Sequence, residues 1–224
     1  METALIELIA ANAAFVGTHF LMSHPLRGPM IGALGKVGFQ LAYSLVSFAT
    51  LGWVYFAFTA APPADLPGSG DAGWLIATAL TLPALILFSG SMAGNPALPT
   101  PMAEEQARGE AKGVFRVTRH PMMWGFALWA LSHMVLFWSM RTMITAFSMG
   151  LLALVGAHLQ DRKKAALMGD AWLEWERKTS FWPRSNAIFS VGAFPWAAGL
   201  ILFVFLSWLH LPLGNIAAGI WRWF

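Results

Sequence analysis

Cysteine is absent from this 224-residue chain and only 11% of its residues are charged. The first absence excludes disulfide frameworks, thiolate metal sites and Cys nucleophiles, leaving six His as the only strong neutral metal ligands. The second excludes an ordinary water-soluble domain, for which about 25% charged residues is typical. Fourteen Lys and Arg against eleven Asp and Glu give a net charge of only +3. No basic stripe accompanies that balance, so a nucleic-acid partner is excluded. Internal repeats and low-complexity tracts are lacking as well. What remains is apolar: 57% hydrophobic residues, 17 Phe, 12 Trp, 12 Met and a mean hydropathy of +0.59. Such a chain has the lipid bilayer as its natural partner.

A spanning helix needs about 20 mostly apolar residues. Six stretches qualify, near 3–22, 37–60, 73–92, 121–139, 142–160 and 189–210, and predict one all-α membrane domain over 1–224. Breaker-rich segments, Ala61 through Gly70 and Gly94-Asn95-Pro96, separate them. Glu2 and Glu7 open the first span with no cationic leader, so that helix is expected to stay attached. Alternating sides sort the cations sharply. Arg27, Lys36, Arg108, Lys112, Arg116, Arg119, Arg162, Lys163, Lys164, Arg177, Lys178 and Arg184 fall on one side; only Arg141 and Arg222 fall on the other. The positive-inside bias then predicts cytoplasmic first, third and fifth loops, with both termini outside. Trp221, Trp223 and Phe224 suit an interfacial anchor. Segment 161–179, which mixes charges with Trp172 and Trp175, reads as a helix lying along the bilayer surface.

Ionisable groups within spanning helices are costly and are functional candidates by default. His19, His24, His120 and His158 all fall toward the cytoplasmic ends of their helices, whereas His133 lies thirteen residues beyond His120, about 20 Å deeper. His210 falls on the outer side. Two His from different helices at one depth are what a bis-His haem requires, and Arg27 and Arg119 at the same leaflet offer planar forks for its propionates. Plain positive-inside anchoring accounts for the two Arg equally well. Zinc fits less well: Glu104, Glu105 and Glu110 fall in a loop, no HExxH spacing is present, and His19 and His24 point about 140° apart.

Residues Gly113 to Gly125 contain Arg119-His120-Pro121-Met122-Met123-Trp124-Gly125, an RHPxxxG segment at a helix entrance. This segment resembles two groups: the isoprenylcysteine and phospholipid methyltransferases, which use S-adenosylmethionine, and the NnrU family, which is similar to the 15-cis-zeta-carotene isomerases. His19 through Arg27 with Gly35, Phe39, Tyr43-Ser44-Leu45 and Ser47 resembles the amino-terminal signature of the second group. Trp129 to His133 resembles the continuation of the fourth helix in the isomerases, and Asp161-Arg162-Lys163, Met168-Gly169, Trp172 and Thr179 to Pro183 resemble the shared downstream pattern. Gln160-Asp161 stands where methyltransferases carry paired glutamates. The resemblance implies a b-type haem held at His19 and His120, which serve as both metal ligands and catalytic residues. It implies either cis-trans isomerisation of an apolar polyene or a redox or nitric-oxide-linked role in denitrification. It also implies residence in a bacterial inner membrane with the site near the cytoplasmic leaflet. Methyl transfer from S-adenosylmethionine is the alternative reading.

Overall fold

The computed structural model describes residues 2–224, and among them every regular element is helical. Five helices are long and apolar enough to cross a membrane: α1 (Glu2–Ser23), α2 (Arg27–Ala60), α3 (Gly70–Gly90), α6 (Met140–Met168) and α8 (Ala193–Gly214). Between α3 and α6 come the short α4 (Ala103–Arg108) and the apolar α5 (Pro121–Leu136); α7 (Asp170–Lys178) follows α6. The protein is a multi-pass membrane helical bundle.

Several limits differ from those read off hydropathy. At about 1.5 Å per residue the 16 residues of α5 reach about 24 Å, short of a hydrocarbon core about 30 Å thick. Phe137 enters the left-handed region at φ 46° and stops α5 before the expected residue 139. Below its first residue, Pro121, the buried residues Val114, Phe115, Val117 and Thr118 carry the packing onward. The second apolar run begins ten residues earlier than expected, because α2 continues through a break at Gly35, whose φ of 70° only glycine adopts cheaply. In the other direction, α6 runs eight residues past the expected limit of 160, until Gly169 at φ 54° turns the chain into α7.

Packing is serial. α2 lies on α1, α1 on α6, α6 on α5, α5 on α3 and α3 on α8. The tightest crossings rely on glycine, as small residues let helix backbones approach in a bilayer. A Cβ on Gly199 of α8 would lie 2.8 Å from the Ile86 Cα, and one on Gly125 of α5 would lie 2.8 Å from the Ala84 carbonyl oxygen. The Ala146, Ala153 and Ala157 face of α6 is buried in the same way.

Side-chain and backbone contacts show which ends lie together. At one end the Asp65 carboxylate accepts from the Met140 N–H at 2.7 Å, Arg141 donates to the Ala61 carbonyl at 3.0 Å and Arg222 pairs with Asp71 at 3.0 Å. At the opposite end Lys164 reaches Pro96, and Arg119 and His120 reach Asp161. The alternation inferred from the cations therefore holds as a contact pattern, with segments 91–119 and 161–184 forming one cap.

Within that cap α7 departs from expectation. Trp172 and Trp175 face protein rather than lipid: they are 0% and 1% exposed, packed in a cluster with Ile86, Leu87, Val114, Phe115 and Val117. Burying two indoles against protein removes more apolar area than laying them on a bilayer surface, so the amphipathic segment folds inward. The acidic stretch expected as a loop is also partly ordered, since Glu104 and Glu105 sit in α4 and Arg108 pairs with Glu174 of α7 at 2.9 Å.

Candidate functional site

The cap gathers one acid, one base and one imidazole. His120 is the residue before Pro121 and sits just outside α5 with φ −120° and ψ 55°, kept out of the helical region as expected for the predecessor of a proline. The turn leading into it is fixed by three bonds to residues 180–184: the Arg119 N–H donates to the Ser180 carbonyl at 2.8 Å, Thr118 Oγ1 to the Phe181 carbonyl at 2.8 Å, and the Arg184 N–H to the Val117 carbonyl at 2.9 Å. Trp124 Nε1 donates to the Phe181 carbonyl as well, at 2.8 Å.

Held this way, Arg119 and His120 both engage Asp161 of α6. Arg119 Nε donates to both carboxylate oxygens at 3.0 Å and Nη2 donates to Oδ2 at 2.6 Å, a two-pronged contact that fixes the carboxylate plane. His120 Nε2 lies 2.7 Å from Oδ1; an ionised carboxylate only accepts, so Nε2 carries the proton. Arg119 also reaches the Glu176 carboxylate at 3.6 Å, so two carboxylates face this one guanidinium. In the neutral tautomer that donates to Asp161, Nδ1 is the acceptor nitrogen, and that atom is buried with no hydrogen-bond partner in the protein.

A small cavity of about 20 Å³ adjoins His120, lined by Asn95, Ala97, Leu98, Met122, Met123 and Gln160. Space of that size accommodates about one water. Its outer wall is a strap, residues 95–98, tied to α6 by Gln160 Nε2 donating to the Ala97 carbonyl at 3.1 Å and Lys164 Nζ donating to the Pro96 and Leu98 carbonyls at 2.7 and 3.2 Å.

The other sequence candidates fall elsewhere. His19 Nδ1 donates to the Phe15 carbonyl at 2.7 Å, which leaves Nε2 as its free lone pair, and its ring packs edge-on against Tyr43 of α2 at 5.4 Å. The His120 ring packs instead against Phe181 at 5.7 Å and Trp172 at 6.3 Å. The two imidazoles thus occupy different surroundings, one packed against α2 and the other against α7 and Phe181. Arg119 is committed to Asp161, whereas Arg27 has no acidic partner among the described residues and lies 5.8 Å from the Phe39 ring centroid. His158 is exposed, and His24 is half-buried in the α1–α2 turn. At the far end of the bundle His133 and His210 stand 6.3 Å apart, each Nδ1 tied to the carbonyl four residues earlier.

As donors, the residues suit an axial haem pair: each of His19 and His120 keeps one free ring nitrogen. A carboxylate that holds the opposite N–H is the usual support of a metal-ligating His. Space is the other requirement, and the one-water cavity beside His120 admits a macrocycle only if the 95–98 strap moves aside. Among the described residues no group of three or more His, Asp or Glu is placed to hold a bare metal ion. Asp161 is the residue that linear reasoning leaves without a role. The signal available was an acid at the end of an apolar run on the side that carries the Arg-His pair.

Comparison with known proteins narrows the identity. A 73-residue stretch is 36% identical to the chloroplastic 15-cis-zeta-carotene isomerase of Zea mays and a 73-residue stretch is 37% identical to that of Arabidopsis thaliana. Each match covers 32% of this chain and 19% of the relative, so the likeness spans about a fifth of the length of those enzymes. No solved structure matches. The NnrU family model matches residues 7–218, and the chain with its Arg119–His120–Asp161 cluster belongs to the NnrU protein family.

Proposed function

We propose that this protein binds haem b through His19 and His120 and isomerises cis double bonds of an apolar, carotenoid-like polyene that enters from the bilayer. The observation that carries the reading is His120 itself, clamped by Asp161 on one nitrogen and left with a buried, unpartnered lone pair on the other. Family membership and the partial likeness to the two isomerases support the reaction class.

Bound haem would supply an iron centre able to perturb a conjugated chain electronically without net oxidation. Asp161 orients the imidazole and raises its basicity, and Arg119 holds the carboxylate and offsets its charge. A polyene needs no polar recognition, which agrees with the many exposed apolar side chains along the spanning helices. Twelve of fourteen cations at the site's end of the bundle favour a location at the cytoplasmic leaflet of a bacterial inner membrane.

The deciding experiment is a visible spectrum of the detergent-purified protein, oxidised and then reduced. The wild type should show a Soret band. His19→Ala and His120→Ala should each shift or abolish it, and Asp161→Asn should shift it without loss. Protein that stays colourless after hemin is added back would overturn the proposal, as would unaltered spectra in both His variants.

A further inference from the structure

Where the α1–α2 turn meets the last turns of α6, the cap holds cations that no acid answers. Arg27 opens α2, His24 lies three residues before it, and Lys163 and Lys164 are consecutive on α6. The α1–α2 hairpin packs on α6, which places Lys163 within electrostatic range of both Arg27 and His24, and Lys164 within range of Lys163 and Arg27. Arg27 and Lys163 are half-buried rather than extended into solvent, and Lys164 is buried. Lys164 is already satisfied by the strap carbonyls of Pro96 and Leu98. Arg27, Lys163 and His24 make no ion pair with any acid among the described residues, and the nearby Asp161 is held by Arg119 and His120.

Bringing like charges together while withdrawing them partly from water is unfavourable unless an anion joins them. Simple topological anchoring does not require this arrangement, because a cation that only marks the inner side does best when it reaches outward into water. The end of α2 adds to the positive potential: Arg27 sits at its N-terminus, and Leu26 offers no side-chain cap to the first free N–H groups.

The surface below the cluster indicates the source of the anion. α2 packs mainly on α1, and beyond the break at Gly35 the exposed Val37, Leu41, Leu45 and Phe48 lie on one flank of the helix. A phosphate at the cluster with an acyl chain beneath it would satisfy both features. We propose that His24, Arg27 and Lys163, with the fixed charge of Lys164 behind them, form a binding site for the phosphate of an anionic phospholipid whose chain lies along α2. The site is separate from the Asp161 cluster and stands whether or not the protein carries haem.

Native mass spectrometry of the full-length protein, released from nanodiscs of mixed phosphatidylglycerol and phosphatidylcholine, tests this directly. One tightly retained phosphatidylglycerol is expected on the wild type. Arg27→Gln and Lys163→Gln should each weaken its retention about fivefold, the value of one cation near an anionic surface. Arg162→Gln, an exposed neighbour, should leave it unchanged. Equal retention of the two lipids, an equal loss in Arg162→Gln, or unaltered retention in both Arg27→Gln and Lys163→Gln would overturn the site. Thermal unfolding in detergent with inorganic phosphate gives a second arm. Stabilisation by phosphate alone, with no preference between lipids, would overturn the assignment to a phospholipid. A normal haem spectrum accompanying lost lipid retention, or the converse, keeps this result distinct from that of the haem proposal.

Discussion

The α1–α2 hairpin and the cap at the cationic end are built on opposite terms. The hairpin is an apolar object in an apolar solvent: α2 packs along one helix, and Val37, Leu41, Leu45, Phe48 and Phe56 face outward. Its stability comes from close contact with α1 and from backbone bonds that a bilayer makes obligatory. The cap instead resembles a small soluble core. Two buried Trp, a two-pronged ion pair and a strap tied by Lys and Gln side chains converge there from four separate segments of chain. The lesson is that the hairpin joins neighbours in sequence, whereas the cap that houses the chemistry is assembled from distant segments.

That contrast can be broken or sharpened by substitution. The largest effect is expected for Trp172→Ala in the cap, a loss of about 3–5 kcal/mol as a large buried side chain leaves a void. Phe48→Ala on the lipid face of α2 should change stability far less, and unfolding by denaturant in detergent measures both. Asp161→Asn comes next. Leaving Arg119 and His120 without their carboxylate should cost about 3 kcal/mol or slightly more, since a buried charge loses its partner. Arg108→Gln, which breaks the exposed pair with Glu174, should cost at most about 1 kcal/mol.

A third test concerns close helix crossings. Gly199→Ala should destabilise by about 1–3 kcal/mol, because the new Cβ meets the Ile86 backbone, whereas Gly52→Ala on α2 has open space and should be neutral or slightly stabilising. Equal outcomes for the two glycines would erase the distinction between the packed and lipid-facing parts of the bundle.

The smallest effect is one of pH. Burial, and then the charge of Lys163, hold His24 below its usual imidazole range, so the folded protein binds this proton less readily than the unfolded chain. Its contribution is fully present above pH 6.5 and is lost as pH falls below 6.5 through the lowered folded value. The melting temperature of the wild type should therefore decline slightly more than that of His24→Gln between pH 7 and 5. Parallel curves for the two proteins would remove His24 from the cationic cluster.

Hydropathy located the spans because a bilayer rewards any sufficiently long apolar run, but it placed several limits wrongly. Tertiary packing ends helices where the chain must turn, and Phe137, Gly169 and the break at Gly35 are set by that demand. The site was half legible. The RHPxxxG segment pointed to Arg119 and His120, since a proline after His at a helix entrance is a local pattern. Asp161 lies 41 residues beyond His120, and Trp172 reads as amphipathic whether it meets lipid or protein. Neither fact has a local signature.

Composition and charge placement alone determined that the chain is an all-helical membrane bundle with its cations gathered at one end, because solvation by lipid acts on each segment separately. Which nitrogen of His120 stays free, which acid answers Arg119, and which cations go unanswered were decided only by the tertiary structure. Those properties depend on distances of a few ångströms between segments that only folding brings together.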